Sequence, residues 1–251
     1  MNRSIFEKDG MRWLRTYLVT PPLSAACFLL FWASSWIAHP FDRSGRTHHA
    51  IARFWSWLLL RSAGVRIRTS GLDRLSARGL YLYVSNHLSF ADTPVMAACL
   101  PTEFRFMARS GLMKWPIIGG HLRRGGHIPV HREDARGAAR SMAEAVRMLR
   151  EAGRSVLIFP EGTRGSGQLQ AFKGGAAHLA IQAGVPVVPL ALTGTADVLP
   201  RRAFLLRPGI VHVRAGEPVP TAHLTARDRP ALTRELEKRV AQLLTGPLPS
   251  A

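Results

Sequence analysis

Apolar positions along this chain fall into two patterns. Short runs rich in Leu, Val, Ile and Tyr, each ended by a polar or glycine-containing loop, read as buried strands at residues 80–84, 155–159, 185–192 and 210–215. Residues 65–70 (VRIRTS) alternate like a strand with one polar face, and 104–108 form a further short strand. Residues 127–131 (HIPVH) read as another, with Pro129 as its weak point. Between these runs the apolar residues recur at helical spacing. Ala139, Met142, Val146 and Leu149 mark a helix over 136–151, with Gly153 as its stop. Leu232, Leu236, Val240 and Leu243 mark a closing amphipathic helix over 229–244, and shorter helices are expected at 93–100 and 172–182. Residues 118–126 (IGGHLRRGG) read as glycine-rich, basic sequence between elements. Strands alternating with helices predict an α/β fold: a mixed, largely parallel β-sheet flanked by helices, with functional loops at strand ends.

The N-terminal quarter follows a different pattern. No Asp, Glu, Lys or Arg occurs from residue 16 to 41. Pro21-Pro22 is expected to break this run, leaving 23–38 (LSAACFLLFWASSWIA), which is shorter than the roughly 20 residues of a spanning helix. A second apolar segment, 50–60 (AIARFWSWLLL), carries Arg53 and Arg61 at its edges and suits an interfacial helix. Trp13, Trp32, Trp36, Trp55 and Trp57 lie in this part, which favours a membrane interface over two core helices. A signal peptide is the other alternative, but no small-residue cleavage pattern closes the run. The expected organisation is a membrane-associated two-helix segment, 1–62, followed by a catalytic α/β domain, 63–251.

Composition narrows the class of partner. The 34 Lys and Arg residues against 16 Asp and Glu give a net charge of +18, which calls for an anionic partner: nucleic acid, an anionic bilayer or a phosphate- or carboxylate-bearing substrate. A nucleic-acid module should cluster basic residues with stacking aromatics on one element. Here the arginines are spread along the chain and the tryptophans sit in the apolar N-terminus, so a bilayer and a lipid substrate fit better. Two cysteines, Cys27 and Cys99, suggest no disulfide framework.

The candidate chemistry lies at the end of the 80–84 run. Asn86-His87 stops the strand, and Asp92 opens the next helix with Thr93-Pro94 behind it. A histidine and an aspartate so placed can fold back on one another, holding the imidazole in one tautomer as a general base. An ordinary turn with a polar His and a capping Asp is the plain alternative. The chain has no G-x-S-x-G elbow, phosphate-binding P-loop, H-E-x-x-H or paired C-x-x-C. A His-Asp pair without a protein nucleophile suits deprotonation of a substrate hydroxyl that attacks an activated acyl group, and basic loops suit a phosphate on the acceptor.

Asn86-His87-Leu88-Ser89-Phe90-Ala91-Asp92 resembles the N-H-x-x-x-x-D block of the bacterial 1-acyl-glycerol-3-phosphate acyltransferases, the lysophosphatidate acyltransferase family. The sequence FPEGTR at 159–164 is similar to that family's F-P-E-G-T-R block, and VPVVP at 185–189 to its V-P-[VI]-[VI]-P block. Arg109 onward, with IPVHR at 128–132, resembles the remaining block, and the likeness runs from about Val65 to Pro220. The resemblance implies His87 as general base oriented by Asp92. It further implies an acceptor pocket shaped by Glu161, Gly162, Thr163 and Arg164, with Arg164 and Arg132 on the phosphate, and Lys173 and Arg109 near the acceptor. A structural Glu161–Arg164 ion pair is the plain alternative for that loop. His39, His48, His49 and His121 are expected at the surface or interface. The implied reaction takes an acyl group from acyl carrier protein or a CoA thioester, with no resident cofactor or metal. The implied location is the cytoplasmic face of a bacterial inner membrane. The family commonly has a lysine where this chain has Ala108-Arg109, and an acidic or amide residue where it has His131. That departure keeps lyso-ornithine lipid open as an alternative acceptor.

Overall fold

The computed structural model describes residues 18, 20–42, 44–115, 118–131, 134–165 and 168–246. Two helices come first, α1 (Thr20–Ala38) and α2 (Arg46–Ser62), followed by β1 (Val65–Ser70) and β2 (Leu82–Ser85). Then follow α3 (Asp92–Cys99), β3 (Phe104–Arg109), α4 (Ile118–Arg124), β4 (Ile128–Val130) and α5 (Ala135–Arg150). The chain continues through β5 (Ser155–Ile158), α6 (Gly175–Ala183), β6 (Val187–Thr193), the short α7 (Thr195–Val198), β7 (Gly209–Ala215) and α8 (Arg229–Thr245).

The seven strands form one sheet in the order β1-β7-β6-β2-β5-β3-β4. Every pairing is parallel except β6 with β7. A parallel sheet is covered on both faces, which is why its central strands are continuous apolar runs. In β2 the alternation of strand side chains divides the core: Tyr83 joins the cluster with Leu60, Met96 and Phe104, whereas Leu82 and Val84 join Leu149, Leu179, Leu236 and Val240 on the other face. The strands β2, β5 and β6 run the same way, so the loops after their last residues meet at one end of the sheet.

Three expectations need correction. Pro21 and Pro22 do not break the first helix; they occupy its first turn, where a missing N–H costs nothing, so α1 has 19 residues. By length and composition α1 can cross a membrane, and little of it is buried. Residues 118–126 are not all loop: Ile118–Arg124 is helical, and Gly125 and Gly126 end it. Gly119 is required there, because a Cβ would lie 2.4 Å from the Met113 carbonyl oxygen. Packing thus overrides the low helix propensity of the Gly-Gly pair.

The third correction concerns the histidines. His39 is exposed as expected, but His48 and His121 are buried and His49 is half-buried. They lie where the N-terminal helices meet the α/β domain. His48 Nδ1 stands 3.0 Å from Asp42 Oδ2, and His121 Nδ1 stands 3.3 Å from the Ser35 hydroxyl. The His121 ring lies 6.0 Å from that of His48 and 5.9 Å from that of His127. His127 Nδ1 accepts the Phe106 N–H at 2.9 Å, so it carries a lone pair rather than a proton. Burial, reinforced by the neighbouring His48, His49, Arg105 and Arg124, pushes the His121 imidazole down to about 3, and burial holds His127 well below the ordinary range.

A pH dependence follows. The unfolded chain protonates these two rings at about pH 6.5 and the folded chain far lower, so their neutral forms stabilise the fold fully above that pH. As the pH falls below it, each withdraws about 1.4 kcal/mol per pH unit until its folded pKa is reached. The melting temperature is expected to drop between pH 7.5 and pH 5, and His121→Gln should flatten the slope. An unchanged slope in that variant would contradict the buried neutral state of His121.

Candidate active site

The turn after β2 brings the first block together. Asp92 is completely buried at the first position of α3, while the His87 side chain keeps 18% of its surface in solvent. One carboxylate oxygen, Asp92 Oδ2, receives His87 Nδ1 at 2.7 Å, the Leu88 N–H at 2.7 Å and the Ser89 N–H at 2.9 Å. Three donors on one acceptor place the ring proton on Nδ1 and leave Nε2 with its lone pair for a substrate. The Phe159 ring stacks on the imidazole, centroids 4.2 Å apart and planes 15° apart, which fixes the ring's plane.

A second His-Asp pair, His48 with Asp42 at 3.0 Å, has nearly the same geometry. Its histidine side chain is wholly inaccessible, and the Asp42 carboxylate also accepts the N–H groups of Ser44, Gly45 and His48 at the start of α2. That pair caps a helix. Access to solvent separates the two pairs, and only His87 can meet a substrate.

The turn is clamped from both sides. The Asn86 side chain donates to the Leu192 carbonyl at 2.9 Å and accepts the Leu192 N–H at 2.7 Å, continuing the β2–β6 pairing past the last strand residue. On the β5 side, Glu161 Oε1 accepts the His87 N–H at 2.9 Å, and the Gly165 N–H donates to the His87 carbonyl at 2.7 Å. Burial pushes the Glu161 carboxyl above its ordinary range against the opposing pull of the His87 and Gln170 backbone N–H groups. Its Oε2 is buried with no hydrogen-bond partner among the described residues.

The other expected residues divide. Arg164 lies over the exposed Phe90 ring, 3.8 Å from its centroid, at the mouth of the site. Glu161 and Arg164 therefore do not form the ion pair considered as an alternative, since each has a different partner. Gly162 has φ +79°, and a Cβ on it would lie 2.8 Å from Lys173 Nζ, so a glycine there lets the lysine cross the loop. The Lys173 N–H is held by the Pro160 carbonyl at 3.0 Å, two residues before α6 rather than inside it as predicted. Thr163 is exposed, with its hydroxyl 3.4 Å from the Gln170 side chain. Arg109 ends β3, one strand beyond β5, and is exposed; among the described residues nothing links it to the His87 group. Arg132 lies outside the described residues.

Sequence reading assigned no role to Asn86, Ser89, Phe90 or Phe159, although all four belong to the quoted blocks. Their place in those blocks was the one signal the sequence carried. Their work is done across strands, and pairing partners such as Leu192 are not readable from local pattern. Among the described residues no group of three or more His, Cys, Asp or Glu is placed to hold a metal ion.

The fold and this strand-end site define an α/β domain that carries a solvent-accessible histidine oriented by a buried aspartate. The chain belongs to the Acyltransferase family, whose sequence profile matches residues 66–193. It is 35% identical over 191 residues to the chloroplastic 1-acyl-sn-glycerol-3-phosphate acyltransferase LPAT1 of Arabidopsis thaliana, covering 73% of this chain and 53% of that protein. It is 31% identical over 215 residues to the lyso-ornithine lipid O-acyltransferase of Pseudomonas aeruginosa, covering 78% and 79%. This chain thus spans only about half the length of its chloroplastic relatives from Arabidopsis thaliana and Brassica napus. The crystal structure of the 1-acyl-sn-glycerophosphate acyltransferase PlsC from Thermotoga maritima shares the fold, with a TM-score of 0.76 at 21% identity, covering 94% of this chain and 99% of that one.

Proposed function

We propose that this protein transfers a fatty acyl group from a thioester donor, acyl carrier protein or CoA, to the free hydroxyl of 1-acyl-glycerol-3-phosphate, giving phosphatidic acid. The single observation that carries the reading is the accessible His87 imidazole whose Nδ1 is committed to a buried carboxylate. His87 Nε2 takes the hydroxyl proton, and the oxygen attacks the thioester carbonyl. The C–S bond breaks, and the leaving thiolate recovers the proton from Nε2. Asp92 holds the imidazole and stabilises the imidazolium while it exists. Glu161, Gly162 and Thr163 shape the acceptor side, and Arg164, Arg132 and Lys173 offer cations to its phosphate. Arg109, two strands from β2 at the same end of the sheet, is kept as a headgroup contact.

Membrane attachment belongs to the same proposal. Residues 1–62 form a membrane-associated helical hairpin and 63–251 the catalytic domain, acting at the cytoplasmic face of a bacterial inner membrane. The exposed apolar surface of α1 and α2, including Phe28, Leu29, Trp32, Phe54 and Trp57, supports this.

Lyso-ornithine lipid is the second acceptor. It is favoured by Arg109 in place of the usual lysine and by the relative from Pseudomonas aeruginosa, most of whose length the chain matches. The test offers the purified chain lysophosphatidate and lyso-ornithine lipid, each with acyl-CoA and with acyl carrier protein. Labelled phosphatidic acid as the main product is expected. Acylation of lyso-ornithine lipid alone would move the assignment to the second acceptor, and acylation of neither would overturn both.

A further inference from the structure

The segment joining α7 to β7 plays no part in the chemistry described, and its shape is unusual. The Arg207 N–H donates to the Val198 carbonyl at 2.8 Å and closes the neck of a compact loop. Leu199 and Leu206 pack at its base in the main core cluster. At its tip the Ala203 N–H donates to the Pro200 carbonyl at 2.9 Å. Arg201 and Arg202 occupy the two central positions of that turn, with Arg202 at φ +73° where glycine is usual. Arg202 is the one non-glycine residue with positive φ among those described, a strain that needs a rigid surround. Next to it Phe204 is 96% exposed, the most exposed large apolar side chain among the described residues. Arg201, Arg202 and Arg207 are all exposed, and none is paired with a carboxylate among the described residues. The loop also walls an open groove of about 990 Å³ whose lining includes Arg66, Asp197 and Arg207.

We propose that this loop, residues 199–207, is a second membrane contact, in which Phe204 enters the interface of an anionic phospholipid surface and Arg201, Arg202 and Arg207 engage its headgroups. An aromatic ring flanked by unpaired cations on a stiff support complements such a surface in both polarity and charge. Its place gives it a purpose. The loop follows β6, whose end lies beside the end of β2, and the Ser89 hydroxyl donates to the Leu199 carbonyl at 2.7 Å. The contact is thus tied directly to the turn that carries His87, and it would hold the mouth of the site against the bilayer independently of the N-terminal helices.

The test uses the full chain with Cys27→Ala and Cys99→Ala and an environment-sensitive fluorophore at Phe204→Cys. The control carries the same label at Ala152→Cys, an exposed position before β5 at the opposite end of the sheet. The probe is a vesicle of phosphatidylcholine and phosphatidylglycerol carrying a lipid-borne quencher. Quenching several times stronger at 204 than at 152 is expected, and Arg201→Ser with Arg202→Ser should weaken vesicle binding by about fivefold or more. Equal quenching at the two positions, unchanged binding by the double variant, or a chain that stays off these vesicles would each overturn the proposal. Neither readout involves acyl transfer, so failure of the proposed reaction leaves this inference standing.

Discussion

Changing His87 to alanine is expected to lower kcat for acyl transfer by about 10²–10⁴-fold while leaving the acceptor KM and the melting temperature nearly unchanged. The size follows from what the imidazole does. A lipid hydroxyl is a poor nucleophile at neutral pH, and among the described residues the one accessible imidazole committed through Nδ1 to a buried carboxylate is that of His87. KM should hold, because the groups offered to the acceptor headgroup, Arg164 and Lys173, sit on the β5 side of the site. Stability should hold because the backbone bonds of residue 87 to Glu161 and Gly165, and those of Leu88 and Ser89 to Asp92, do not depend on the His87 side chain. A variant that transfers acyl groups at the wild-type rate would sink the general-base assignment. A variant that melts many degrees lower would show instead that the ring is mainly structural.

Asp92→Asn is the second large effect, and it should strike both activity and stability. Three donors converge on Asp92 Oδ2, so an asparagine must keep its oxygen there, and its amide then takes the place of Oδ1. Oδ1 is buried without a partner, so the incoming N–H₂ meets no acceptor, costing about 1–3 kcal/mol. If the amide turns the other way, its nitrogen faces His87 Nδ1, the ring flips tautomer, and Nε2 carries the proton it should accept. Either way the imidazolium loses its neighbouring charge. A fall of about 10²–10⁴-fold in kcat, with a melting temperature several degrees lower, is expected from kinetics and thermal unfolding on the same preparation. The result that counts against this account is full activity with the lowered melting point, because it would reduce Asp92 to a turn-forming residue.

The two variants also separate the catalytic pair from its buried counterpart. His48→Ala should leave the chemistry intact and destabilise the packing of α2, since its partner Asp42 binds backbone N–H groups at the start of that helix. His48 and His121 are expected from the sequence at the surface or interface, and nothing local distinguishes them from His87. Burial depends on which face a helix turns toward its neighbours, and that is set by elements far away in the chain.

Much of the architecture is written in local pattern. The apolar run at 156–158 is what a parallel sheet buried on both faces demands of a central strand, and the alternation of 65–70 marks the edge strand β1, where Arg66 and Thr69 are exposed. The closing helix buries Leu232, Leu236 and Val240 on the predicted face. The α5 helix lies where predicted, but its buried stripe runs through Gly137, Ser141, Ala145 and Met148 rather than through Ala139. Small residues there let the helix approach the sheet closely, a preference that a hydrophobic count overlooks.

The sequence by itself determined the alternation of strands and helices, the pairing of His87 with Asp92, and the blocks that place the chain in its family. These depend on residues close together along the backbone, where turn chemistry and periodicity act directly. Only the tertiary structure decided which His-Asp pair is open to solvent, that Asn86 locks the His87 turn to β6, and that Glu161 holds the His87 backbone while Arg164 turns to Phe90. Only it tied the loop bearing Phe204 and its arginines to that turn, through Ser89 and Leu199. The reason is physical: accessibility and cross-strand hydrogen bonding are properties of neighbours in space, and strand order brings together neighbours as far apart in sequence as Asn86 and Leu192.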